Sequence, residues 1–294
     1  MTSHALQKLK TGMPWFVKIP AKIVLSRMPV RSLRWQRLNL FKAGVMDDPA
    51  AAFRLFSTHL EGAGMSALTG KTVLELGPGN SALTALFARS LGAVRTWLVD
   101  AENLASQDLA LFSRAEEILA ELGLPVPGVG TAHSVSAALR QLEAEYLTSG
   151  LTSLQCLPDN HIDFMFSNAV LEHIRLAEFI PLAREMRRIL KPTGIASHQI
   201  DFRDHLQEGL NSLRFSERIW ENDFMARSGF YTNRLTWPAM KDIFEEAGLS
   251  VEIRTLQLWP EGLPTPQKRM ADPFKNMPVE HLMTMGAHVI LRNE

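Results

Sequence analysis

From Thr72 onward, short aliphatic runs alternate with longer segments whose apolar residues recur at helical spacing. Thr72 to Leu76 is β-branched and aliphatic and ends in glycines, as a strand buried on both faces does. The pattern then predicts a helix from Ser81 to Leu91, closed by Gly92, and a strand from Val94 to Val99 that ends on Asp100. A long helical stretch, Leu104 to Leu122, stops at Gly123 and is followed by turn residues Pro125, Pro127 and Gly128. Ser134 to Leu147 reads as a helix and Leu151 to Leu154 as a short strand. His161 to Phe166 is a strand, and Ala169 to Leu190 is helical with an interruption at Pro181. The turn Lys191-Pro192-Thr193-Gly194 leads into strand Ile195 to Ile200. Beyond a polar, aromatic stretch the rhythm returns as helix Pro238 to Ala247, strand Leu249 to Leu256, a proline-rich loop and strand Gly286 to Arg292.

Repeated βα units imply an α/β, doubly wound, mostly parallel seven-stranded sheet of Rossmann-like form, with helices on both faces. The last two strands have no helix between them, so the last strand is expected antiparallel, in a hairpin at the sheet edge. The segment from Asp201 to Thr236 breaks the rhythm and reads as an inserted cap on a domain spanning 47–294. Met283, Met285 and the apolar positions of Leu182 to Leu190 read as core packing.

Charge changes the picture at one end. Residues 1–46 hold nine Lys and Arg and no acid, while the remainder holds 22 basic and 31 acidic residues. That basic extension also carries Trp15, Phe16, Trp35 and Phe41. It suits peripheral contact with an anionic membrane surface, a grip on an anionic substrate, or a helical arm packed on the domain. It superficially fits a transit peptide but is poor in serine. Cys156 is the single cysteine, so no internal disulfide forms, and no apolar run approaches the roughly 20 residues of a membrane span. These features lead us to expect a reducing cytoplasm, with peripheral contact at the inner membrane where the extension serves as a surface anchor and not as a packed arm.

The candidate chemistry begins at the loop after the first strand, Glu75-Leu76-Gly77-Pro78-Gly79-Asn80-Ser81. Glycines between a strand end and a helix present backbone N–H groups and let a ligand approach closely. Gly77 to Ala82 also satisfies the relaxed dinucleotide pattern, and Asp100, 21 positions after Gly79, suits a ribose hydroxyl. A nicotinamide-dependent oxidoreductase is therefore one reading of the loop. Glu75 favours another, because a carboxylate there repels a pyrophosphate but suits a cofactor with a sulfonium and an α-ammonium group.

The ordered set Val73-Leu74-Glu75-Leu76-Gly77-Pro78-Gly79, Asp100, Leu157-Pro158-Asp159-Asn160-His161-Ile162-Asp163-Phe164, Ser167-Asn168-Ala169-Val170-Leu171-Glu172-His173 and Leu190-Lys191-Pro192-Thr193-Gly194 resembles the class I S-adenosylmethionine-dependent methyltransferases. The resemblance spans about residues 70–292. It implies S-adenosylmethionine as cofactor, held by Glu75, Gly77, Pro78, Gly79, Asn80, Ser81, Asp100, Gln155 and Asn168, with Glu75 near the methionine part and Asp100 on the ribose. Ser81 stands where many members have a third glycine, and fits as a helix N-cap. The acid that often precedes the Leu-Pro pair near the adenine is missing, which leaves Ser153, Gln155 or the backbone at Cys156 for that role. Ser197-His198-Gln199-Ile200-Asp201-Phe202 with Ser228-Gly229-Phe230-Tyr231-Thr232-Asn233-Arg234 is similar to a subgroup linked to bacterial surface-polysaccharide and lipid-linked sugar pathways.

Methyl transfer to a hydroxyl needs a nearby proton acceptor, and histidine serves that role near neutral pH. His173 and His198 are the catalytic candidates, both expected on the rim at the carboxyl ends of the strands. His198, Asp201 and His205 form H-x2-D-x3-H, but a polar loop face is preferred to a metal site, so no metal is expected. Asp201, Arg203, Tyr231, Asn233 and Arg234 are the expected acceptor contacts, because aromatic faces with arginines suit a sugar bearing an acidic or phosphate group. The alternative is that the aromatics form the cap's own core. Lys268-Arg269 is placed to close over the same opening. The expected reaction is O-methylation of a glycan-type or lipid-linked small molecule. A non-catalytic membrane-surface protein with this fold is the alternative of another class. Nucleic acid is disfavoured as substrate, because Ser167-Asn168-Ala169-Val170 replaces the Asn/Asp-Pro-Pro-aromatic tetrapeptide of many amino-methylating enzymes.

Overall fold

The computed structural model describes residues 48–294, so the basic extension 1–46 lies outside the described residues. The first helix, α1 (Pro49–Gly62), starts where Asp48 accepts the Ala50 N–H and Pro49 takes a position that needs no N–H donor. There follow β1 (Thr72–Leu76), α2 (Thr84–Ser90), β2 (Arg95–Val99), α3 (Ala110–Glu121), α4 (Val135–Gln141), β3 (Ala144–Leu147), α5 (Leu151–Gln155) and β4 (Ile162–Asn168). A 3-10 turn, Leu171–His173, precedes α6 (Leu176–Ile189) and β5 (Leu190–Asp201). The cap contains two single-turn helices, α7 (Glu217–Trp220) and α8 (Asp223–Ala226). The chain closes with α9 (Trp237–Glu246), β6 (Leu249–Leu258), α10 (Val279–Leu282) and β7 (Thr284–Asn293).

The seven strands form one sheet in the order β3-β2-β1-β4-β5-β7-β6. β1 to β5 run parallel, and β7 is antiparallel to both β5 and β6. β7 therefore lies inside the sheet and β6 takes the edge. Alternation along each strand divides the core between two layers. Val73, Phe164, Phe166 and Ile290 pack with Phe56, Phe87, Phe112 and Leu119 of α1, α2 and α3. Leu74, Met165, Val289 and Leu291 pack on the other face with Phe179, Met186 and Phe244 of α6 and α9. Strand order reverses between β1 and β4, and the carboxyl ends at such a reversal are where open α/β sheets bind ligands.

Three local expectations give way. The helix expected over Ser134 to Leu147 ends at Gln141, because Glu143 turns the chain with φ of 53° and Ala144–Leu147 pairs with β2. Leu151–Gln155 is the helix α5, not a strand, with only Ser153 and Leu154 buried. The helix expected from Ala169 begins at Leu176, while Pro181 lies within it without ending it. Among the described residues no helix is long and apolar enough to cross a membrane.

Candidate cofactor and acceptor site

A cavity of about 400 Å³ opens at the carboxyl ends of β1, β2 and β4, within the size range of small-molecule sites. Gly77, Gly79, Asp100, Ala101, Ala169 and His173 stand on its wall, and Val99, Leu104, Leu151 and Leu154 form an apolar slot. Gly77 adopts φ of 67°, and a Cβ there would meet Val170 at 2.4 Å, so neither the conformation nor the space admits a side chain. Asp100 organises the loop as well as facing the cavity: one carboxylate oxygen accepts the Gly79 N–H at 3.0 Å, the other the Ala101 N–H at 2.7 Å. Glu75, 3% exposed at the end of β1, leaves one carboxyl oxygen buried without a partner. Burial raises its pKa to about 8; the Thr84 hydroxyl bond opposes that shift and nearby Asp100 adds to it.

A second cavity, also about 400 Å³, shares Ala169 with the wall of the first. Ala169 has φ of 52°, an uncommon conformation for a residue with a Cβ, and its N–H is held by the Gln199 carbonyl at 2.8 Å. Asn168, Gln199, Asp201, Arg203, Gln257 and His288 are among the residues around this second space.

Residues 74–197 match the family model described as Methyltransferase domain. That stretch is a methyltransferase domain. S-adenosylmethionine is the cofactor that the sequence resemblance implies for such a domain. No curated protein matches the sequence. Solved structures match at low identity. The S-adenosylmethionine-dependent methyltransferase from Mesorhizobium loti is 18% identical, with 85% of this chain and 99% of that chain covered and a TM-score of 0.43. The 1,6-didemethyltoxoflavin-N1-methyltransferase from Burkholderia thailandensis, solved with bound 1,6-didemethyltoxoflavin and S-adenosylhomocysteine, is 12% identical, with 88% of this chain and 83% of that chain covered and a TM-score of 0.44.

The methyltransferase site fits that cofactor by the chemistry of its own groups. The partnerless oxygen of Glu75 suits a cationic amine or sulfonium, the glycine loop offers backbone room, and Asp100 retains acceptor capacity for hydroxyls. The apolar slot suits a flat ring. Among the expected cofactor contacts, Glu75, Gly77, Gly79 and Asp100 gather at or beside the first cavity. Pro78, Asn80 and Ser81 shape the loop from outside the lining. The Asn80 carbonyl accepts the Ser106 N–H, and the Ser81 hydroxyl accepts the Leu83 N–H at 3.3 Å. Ser81 is not the helix N-cap, since α2 begins at Thr84 after Leu83. Gln155 is exposed on α5 and away from the cavity, and Asn168 faces the second cavity, not the first. Leu104, Leu151 and Leu154 line the cavity, whereas Ser153, Gln155 and Cys156 do not.

The two candidate histidines separate. His173 stands on the rim with Nδ1 at 2.8 Å from the Tyr231 carbonyl, which only accepts, so Nδ1 carries the proton. Its Nε2 lies 3.1 Å from His205 Nε2, and His205 is accordingly the donor in that pair. Desolvation holds the His173 pKa below its ordinary value, opposed by the Tyr231 carbonyl bond and by nearby Asp201. His198 departs from the expected rim position. It is wholly buried in the sheet, its Nδ1 bonded to the Ser167 hydroxyl at 2.7 Å, and burial followed by nearby His288 lowers its pKa to about 3. Among the described residues no group of three or more His, Cys, Asp and Glu gathers to hold a metal.

The cap also resolves its alternatives. Trp220, Phe230, Tyr231, Leu206 and Met225 form its own small core. Tyr231, Asn233 and Arg234, expected to touch the acceptor, instead hold the cap together. The Tyr231 hydroxyl donates to Glu221, Asn233 Nδ2 donates to the Leu171 and Ile174 carbonyls, and Arg234 lies over Trp220 and Phe274. Asp201 and Arg203 do line the second cavity. Met285 lines it too, half-buried, in place of the core role expected of it. Sequence reasoning missed Asp204, which accepts the backbone N–H groups of Leu206, Gln207 and Gly209 on one oxygen and those of Asn211 and Ser212 on the other.

Proposed function

We propose that the enzyme methylates a hydroxyl oxygen of a glycan-type or lipid-linked small molecule. The observation that carries this reading is His173: an imidazole on the wall of the cofactor cavity, its Nδ1–H anchored by a carbonyl and its lowered pKa keeping it neutral at pH 7. Such a group serves an acceptor that must give up a proton as it reacts. S-adenosylmethionine supplies the electrophilic methyl group and the leaving group. The chain supplies the rest. Glu75, the glycine loop and Asp100 hold and orient the cofactor, the apolar slot excludes water, and Asp201 and Arg203 border the acceptor's approach. For Nε2 of His173 to take the acceptor's proton, His205 must turn aside or pass the proton outward.

The deciding experiment supplies methyl-labelled S-adenosylmethionine with fractionated saccharide and lipid-linked saccharide extracts, then assigns the labelled product by NMR. A methyl ether is the expected product. A label on nitrogen or carbon overturns the reading. The basic extension 1–46 is proposed to bring the enzyme to anionic membrane surfaces where lipid-linked acceptors reside. Deleting it should abolish sedimentation with anionic liposomes and spare cofactor affinity, and equal sedimentation of both forms would rule the anchor out.

A further inference from the structure

The second cavity draws its polar groups from five elements: Thr58 of α1, Asn168 of β4, Gln199 of β5, Thr255 and Gln257 of β6, and His288 of β7. Its titratable members are Asp201, Arg203 and His288, and none has charge to spare. Arg203 donates from Nε and from a terminal nitrogen to the two oxygens of Asp201, at 2.9 and 2.8 Å, and its backbone N–H adds a third bond to the same carboxylate. His288 is tied through Nε2 to the Ser197 hydroxyl at 2.9 Å, and that hydroxyl also meets Nδ1 of the buried His59 at 2.8 Å. Burial and then nearby Arg254 push the His288 pKa below its ordinary value, so the ring is neutral at pH 7.

The position of His288 is built into the fold. A Cβ on Gly62 would come within 2.5 Å of the imidazole, so the glycine at the end of α1 leaves the room that the ring fills. By contrast, the side-chain amides of Asn168, Gln199 and Gln257 make no hydrogen bond to the described residues. Each offers both a donor and an acceptor to the cavity. Among the described residues lining it, a phosphate or carboxylate would meet amide and carboxylate oxygens, and the one cation there, Arg203, is already paired with Asp201. An ammonium group would meet a carboxylate already saturated by arginine. A hydroxyl, which both donates and accepts, is the group that such a lining satisfies without desolvating a charge.

We propose that the second cavity is the acceptor's recognition subsite and that it takes an uncharged, hydroxyl-rich group such as a neutral sugar ring. The reacting hydroxyl would pass Ala169 into the first cavity. This proposal rests on the O-methylation reading above and narrows it, since a sugar bearing an acidic or phosphate group was the sequence expectation.

The test uses the full chain saturated with S-adenosylhomocysteine, labelled with ¹⁵N-histidine, and titrated with cellobiose and with glucose 6-phosphate. Cellobiose should shift the His288 ring signals saturably, with glucose 6-phosphate at least about tenfold weaker, the loss that one unsatisfied polar group brings. Gln257→Leu and Thr255→Val, two independent lesions on β6, should each weaken cellobiose by about tenfold and leave S-adenosylhomocysteine affinity unchanged. Equal or tighter binding of the phosphorylated sugar, no saturable shift with either sugar, or cellobiose binding indifferent to both substitutions would overturn the subsite. Failure of the methyltransferase reading would show separately, as no S-adenosylhomocysteine binding by the unsubstituted chain.

Discussion

The two cavities that share Ala169 are built from different materials. The first rests on strand ends: a glycine loop, one carboxylate that clamps that loop, and a slot of leucines and a valine. The second rests on side-chain amides and hydroxyls gathered from positions as far apart as Thr58 and His288. Backbone-built sites hold a ligand whose shape is constant, because the groups that touch it have little freedom. Side-chain-built sites are free to change with the acceptor. His173 belongs to the first cavity by position but is held by Tyr231 of the cap, so the chemistry sits where the two halves join. Replacing it tests that division most severely. His173→Gln should lower kcat by roughly 10²–10⁴-fold while leaving cofactor affinity within about twofold. Because its folded pKa is held below the ordinary histidine value, the acid limb of the wild-type kcat/KM profile should lie below pH 6.5 and disappear in the variant. A matching loss of cofactor affinity would mean that His173 serves binding instead.

The next largest effects separate the halves. Asp204 holds five backbone N–H groups of the cap loop. Asp204→Ala should cost on the order of 3–5 kcal/mol in chemical denaturation, because several buried donors lose their partner together. Cofactor binding by the folded fraction should survive. Asp100→Ala should do the reverse. It frees the Gly79 N–H and removes a carboxylate from the first cavity, weakening S-adenosylhomocysteine by roughly 10- to 100-fold in calorimetry. Unchanged affinity there would remove Asp100 from the cofactor site.

The same contrast explains what could be read in the residues alone. β1 was legible to its ends, and the pairing of Glu75 with a glycine loop and Asp100 named the cofactor, because these features lie within one βαβ stretch. The apolar lining was less legible. Leu151 and Leu154 looked like a strand since four residues cannot distinguish the two periods, yet as a helix they form the slot. The second cavity was hardly legible, because the residues around it owe their meeting to β7 entering between β5 and β6. Tyr231, Asn233 and Arg234 misled for a related reason. Aromatic and arginine side chains that suit a sugar equally suit a small core with few aliphatic residues, and in the cap they form that core. His198 was one strand position from the truth: alternation turned it into the sheet, while Gln199 faces the second cavity.

The finest prediction concerns protons. Glu75 and Glu172 are both buried acids whose pKa is raised to about 8, by desolvation above all; an Asp residue nearby, Asp100 and Asp201 respectively, adds to the shift. A raised carboxyl pKa means that the folded chain binds the proton more tightly than the unfolded chain. Their contribution to stability is therefore complete below pH 4.5 and fades as pH rises toward 8. Cofactor binding should tell the two acids apart. A cation placed beside Glu75 favours its ionised form, so S-adenosylmethionine binding at pH 7 should release up to about one proton, and none at pH 9. Calorimetry in buffers of different ionisation enthalpy reads that release directly. Glu75→Gln should abolish it, whereas Glu172→Gln, whose carboxyl lies by Asp201 and not by the Asp100 that clamps the glycine loop, should preserve it. Proton release that persists in Glu75→Gln would show that this acid does not face the cofactor's cationic end, and the division of labour between the cavities would have to be redrawn.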